Sequence, residues 1–75
     1  MYFRIEVSFP LSDDMLAGDE KVEKIAGMKR SDSGAGFGMR DVAFVVETQP
    51  EAGALIKRLL DGGYIDIACS THRRD

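Results

Sequence analysis

Two strand-to-helix units follow one another in a chain of 75 residues, and a further strand comes after the second helix. Few compact arrangements accommodate that order, because each helix must return over the sheet that its own strand helps to build. The first unit begins with Tyr2–Phe9. Phe3, Ile5, Val7 and Phe9 alternate there with Tyr2, Arg4, Glu6 and Ser8, the period of a strand with one buried face. Pro10 lacks a ladder donor and ends it. Ser12, Asp13 and Asp14 carry the oxygens and negative charge that suit a helix start. Met15, Val22, Ile25 and Ala26 continue as a helical stripe interrupted by Gly18. The helix begins either early, tolerating Gly18, or after it with Asp19 as cap; the pattern favours Asp19–Gly27 with a less regular lead-in.

The second unit is better marked. Asp41–Glu47 contains the nearly unbroken apolar run Val42, Ala43, Phe44, Val45, Val46, which suits a central strand. Burying the larger rings releases more apolar surface from water than burying Ala43 and Val45. That favours Val42, Phe44 and Val46 facing the helices, joining Phe3, Ile5, Ile65 and Leu59 in the core; the reversed parity would instead display Phe44 on the open face and strengthen a binding role there. Thr48-Gln49-Pro50-Glu51 reads as a capping box with proline in the first turn. Ala52, Leu55, Ile56, Leu59 and Leu60 then form one apolar stripe, and Gly62-Gly63 offers a left-handed exit. A last strand is expected over Tyr64–Thr71, with Ile65, Ile67 and Cys69 facing inward, followed by a fraying His72-Arg73-Arg74-Asp75 tail.

Between the units lies Ser31-Asp32-Ser33-Gly34-Ala35-Gly36-Phe37-Gly38. Alternate glycines make a poor central strand but fit an edge strand and a tight hairpin. The fold that follows is α+β, a single domain over residues 1–75: a ferredoxin-like βαββαβ two-layer sandwich. Its four-stranded antiparallel sheet has the order 4-1-3-2, with both helices on one face. The other face is left open, carrying Tyr2, Arg4, Glu6, Ala43, Val45, Glu47, Tyr64, Asp66 and Ala68.

Composition narrows the function classes. Asp and Glu total 13 against 10 Lys and Arg, a formal charge of −3, which argues against a general nucleic-acid binder. The one cysteine, Cys69, makes no internal disulfide, and one histidine adds too little for a zinc site, so no metal or cofactor is expected. A free thiol, no long apolar stretch and no signal-peptide layout point to the cytoplasm, away from membranes. Cys69 and His72 could be read as nucleophile and base, yet the pattern supplies no third group to orient the imidazole. The acid pairs Asp13-Asp14 and Asp19-Glu20 read as helix-start charges, and no catalytic residue is assigned.

Arg40-Asp41-Val42-Ala43-Phe44-Val45-Val46-Glu47 resembles the RNP1 stretch of the RNA-recognition motif. Arg40, Ala43, Phe44 and Val45 match its pattern, and Tyr2 stands where the first strand of that family carries an aromatic residue. Asp41, Val42 and Glu47 depart from it, Val42 in place of a base-stacking ring. The resemblance implies a sheet that stacks single-stranded RNA. Two other expectations come from the residues themselves. The first is a non-enzymatic module that pairs with its own copy or another protein through the open face, centred on Tyr2, Arg4, Ala43, Val45, Tyr64 and Ala68, or through the Gly-rich edge. The second is a sensor that binds a small anion at Gly34, Gly36, Gly38 and Arg40. The acidic balance also allows a basic protein as partner.

Overall fold

The computed structural model describes residues 1–11 and 15–73, apart from the side chains of residues 15 and 16. The expected caps Ser12, Asp13 and Asp14 lie outside the described residues, as do Arg74 and Asp75. The elements are β1 (Tyr2–Pro10), α1 (Met15–Ala26), β2 (Asp32–Gly36), β3 (Met39–Val46), α2 (Gln49–Asp61) and β4 (Asp66–His72). They form a ferredoxin-like α+β sandwich whose antiparallel sheet runs β2-β3-β1-β4.

The central ladder sets Ile5 against Phe44 and Val7 against Val42, so the apolar rows of β1 and β3 share one face. Ile5, Val7, Val42 and Phe44 are fully buried there, with Val46 close behind. Val22 and Ala26 of α1 and Ala52, Leu55 and Leu59 of α2 close over them. Phe44 thus points toward the helices, the parity that burial of the larger rings favours. Ile56 packs only partly against this core and Leu60 is exposed, so the apolar stripe of α2 is narrower than its sequence suggests.

Several elements differ from the sequence reading. α1 starts by Met15 and runs through Gly18, so Asp19 lies inside the helix and does not cap it. At the start of α2 the Thr48 hydroxyl makes both contacts, accepting from the Glu51 N–H at 3.3 Å and donating to the Glu51 carboxylate at 2.8 Å. The left-handed exit belongs to Gly63 alone (φ +95°), since Gly62 keeps a right-handed φ of −80°. Gly62 is needed for another reason: a Cβ there would sit 2.7 Å from Ile25 Cγ2, where the two helices approach. This exit carries Tyr64 down against the Phe9 ring, with centroids 5.6 Å apart. Ile65 is turned outward, 89% exposed, instead of joining the core. His72 does not fray: it ends β4, opposite Tyr2.

Leu55→Ala should cost about 2–5 kcal/mol in urea unfolding, because the buried site cannot fully collapse. Leu60→Ala, on the exposed flank of the same helix, should stay within about 0.5 kcal/mol.

Candidate functional site: the acidic open face

Strand alternation assigns each side chain to a face. Opposite the helices, β1 presents Tyr2, Arg4, Glu6 and Ser8, and β3 presents Met39, Asp41, Ala43 and Val45. β4 adds Asp66, Ala68, Ser70 and His72, while β2 adds Asp32, Gly34 and Gly36. Within the strands, four carboxylates (Glu6, Asp32, Asp41 and Asp66) therefore share this face with a single guanidinium, that of Arg4. Arg4 is already engaged, its Nη2 lying 3.5 Å from both Glu6 and Asp32.

The centre of the face is not an apolar platform. Ala43 has Glu6 directly opposite on one side and Asp32 on the other, and it is only 2% exposed beneath its neighbours. Arg4, Glu6, Asp32, Ser33, Gly34 and Asp41 line a shallow basin of about 150 Å³ with Ala43 among its walls. Ser8 donates to the Asp41 carboxylate across the ladder. At one end the Tyr2 and His72 rings stack, with centroids 5.1 Å apart and planes inclined by 15°, and His72 Nε2 shares a 2.9 Å hydrogen bond with the Ser70 hydroxyl.

The residues expected at the interface are thus only partly brought together. Tyr2, Arg4, Ala43, Val45 and Ala68 lie on the open face. Tyr64 does not: it packs against the core beside Phe9, and burial raises its phenol above the ordinary value. Asp32 and Asp41 join this face although neither stood among the residues expected there. Asp41 follows from the parity of β3, but the glycine-rich β2 has no apolar alternation from which to place Asp32.

Arg40 is separated from the glycines it was grouped with. Gly34 and Gly36 sit on the open face, whereas Arg40 shares the helix-facing row of Val42 and Phe44. Its guanidinium grips Asp19 in a fork, with Nε 3.0 Å from Oδ1 and Nη2 2.7 Å from Oδ2, and Nη2 also reaches Ser33 Oγ at 3.1 Å. Arg30 adds a second cation 3.6 Å from Asp19 and pairs in turn with Glu23 at 2.9 Å. The hydrogen bond from Arg40 outweighs desolvation and holds the buried Asp19 carboxyl below its ordinary 3.8, while Asp19 raises Arg40. This guanidinium has its anion built in.

Cys69 and His72 occupy opposite faces of β4, so thiol and imidazole do not meet. Cys69 faces the helix side as expected, but it is exposed rather than packed in the core. Phe44, which the RNP1 resemblance would make a stacking ring, is fully buried. Among the described residues, no three His, Cys, Asp or Glu side chains gather as a metal site, and no helix is long and apolar enough to cross a membrane. No family model, curated protein or solved structure matches the chain.

The lowered pKa of Asp19 has a definite sign. The ionised form is favoured in the folded state, so its contribution is present above the unfolded aspartate value of about 3.9 and is lost as pH falls through the folded value. Urea midpoints should therefore drop on acidification below about pH 4. In Asp19→Asn the protein should be weaker near neutral pH and show a flatter acid limb, measured by circular dichroism.

Proposed function

We propose that the chain is a small non-enzymatic interaction module whose open sheet face docks a positively charged protein. The observation that carries this reading is the charge of that face: four strand carboxylates against one arginine already paired with two of them. A basic partner would replace weak solvent-screened repulsion among these carboxylates with attraction, gaining speed and selectivity of encounter. Val45 and the exposed Ala68, beside the covered Ala43, add only a little apolar contact to that charged surface. Phosphate-bearing ligands meet the opposite field, which argues against single-stranded RNA on the same surface. Face-to-face pairing with a second copy is opposed too, since it sets two acidic surfaces against each other. A single exposed thiol suits a cytoplasmic setting.

An arginine-rich peptide titrated into labelled protein should shift the amides of Glu6, Asp32, Asp41 and Ala43. The shifts should disappear as salt approaches about 1 M, where the screening length is about 3 Å. The triple change Glu6→Gln, Asp41→Asn, Asp66→Asn should weaken binding by about tenfold or more. Shifts at these amides with a short oligonucleotide, and none with the peptide, would overturn the reading.

A further inference from the structure

The sheet has two edges, and they are defended unequally. The hydrogen-bonding direction of each strand follows from the β2–β3 turn. Only Phe37 and Gly38 separate Gly36 from Met39, and both have positive φ (+53° and +76°), the two-residue hairpin of the type I′ kind. The flanking pair Gly36–Met39 is then the narrow, doubly hydrogen-bonded one, and alternation makes Gly34–Asp41 and Asp32–Ala43 the same. The other residues of β3 therefore bond to β1, through Arg40–Phe9, Val42–Val7, Phe44–Ile5 and Val46–Phe3. The Leu11 N–H to Gly38 carbonyl bond of 2.9 Å falls where this alternation places the next one. One step further, β1 bonds to β4 through Tyr2, Arg4, Glu6 and Ser8, which engages His72, Ser70, Ala68 and Asp66.

What remains turned outward on β4 is the N–H and C=O of Ile67, Cys69 and Thr71, and no hydrogen bond among the described residues reaches them. The β2 edge is guarded: it is short, its first residue is charged, and the Asp32 carboxylate takes the Ser33 N–H at 2.8 Å. β4 has no such device. It is seven residues long, without lysine, proline or glycine, and its one acid, Asp66, stands at the end. Ala68–Thr71 are all exposed.

We infer that β4 pairs antiparallel with β4 of a second copy, joining the two sheets into one of eight strands across a twofold axis at Cys69. With the axis there, Cys69 faces Cys69, Ile67 faces Thr71 and Ala68 faces Ser70, while Asp66 of each copy stands opposite His72 of the other. The outward groups of Ile67, Cys69 and Thr71 then meet their counterparts in the narrow-pair geometry, so backbone direction and side-chain register agree. Sliding the copies by two residues shortens the ladder and parts Asp66 from His72. This self-complementarity selects a second copy over an unrelated strand. The contact uses neither open face and stands independently of the function proposed above. It lays the two acidic faces side by side as one surface.

Sedimentation across a concentration series, with amide exchange at both ends of it, tests this. Dimer mass should appear together with new protection of the Ile67, Cys69 and Thr71 amides, whereas Ala68, Ser70 and His72 are protected in the monomer as well. Cys69→Pro removes an N–H that the monomer does not use, in a place where an edge strand tolerates proline. It should leave the monomer folded and raise the dimer dissociation constant by about a hundredfold or more. If Cys69→Pro does not fold, Cys69→Ala serves instead: it keeps every backbone group and should retain both the dimer and the alternating protection. Two results would overturn the inference. One is a monomer at millimolar concentration with those three amides exchanging freely; the other is a dimer whose new protection lies on β2 or the open face.

Discussion

The register of β1 against β3 governs the rest of this molecule. Placing Ile5 opposite Phe44 and Val7 opposite Val42 gathers the bulkiest side chains of the two central strands on one face, where ten mostly aliphatic side chains among the described residues form the buried cluster. A slip of β1 by one residue would bring Arg4 and Glu6 under the helices, and a slip of β3 would bring Asp41 there; either buries unpaired charge. Because side-chain direction and hydrogen-bonding direction both alternate along a strand, the same register has a second consequence. It dictates which backbone groups bond inward, and so which ones β4 leaves at the margin of the sheet.

Charge is handled differently on the two faces. Under the helices, the one buried carboxylate among the described residues, Asp19, is gripped by Arg40 through two parallel bonds and steadied by Arg30, an arrangement that compensates its desolvation. The cluster ties α1 to β3 and to the segment entering β2. Arg58 of α2 adds a 3.1 Å bond to the Ala26 carbonyl at the end of α1, so that the helices are linked to each other as well. On the open face, by contrast, carboxylates accumulate with little neutralisation. The docking proposed for a cation-rich protein draws on that imbalance at the surface, which contrasts with the well-matched pair inside.

The edges complete the picture. β2 is short and self-capped at Ser33, and its turn places Phe37 in a left-handed conformation with its ring wholly in solvent. β4 is longer and lies at the margin, with exposed side chains on both faces; its exposed Cys69 reflects a lack of helical cover, not a failure of the inward pattern. A small sandwich with one bare margin can enlarge its sheet without altering its core.

The sheet order follows from the succession of elements along the chain, and the other features legible there are local: the order of strands and helices, the inward rows of β1 and β3, the Thr48–Glu51 cap and the glycine hairpin. Each is written within a few neighbouring residues, where periodicity, proline and capping chemistry act directly. The meeting of distant groups, by contrast, came from assembly alone. Asp19 and Arg40 lie 21 residues apart, and nothing in their spacing marks them as partners. The inward turn of Tyr64 and outward turn of Ile65 depend on how Gly63 redirects the chain. The acidity of the open face emerges only when Asp32 from β2 is laid beside Ala43 and Glu6. Stretches with clear apolar alternation announce their faces in advance, whereas a glycine-rich strand and a buried ion pair acquire theirs only from the neighbours that assembly provides.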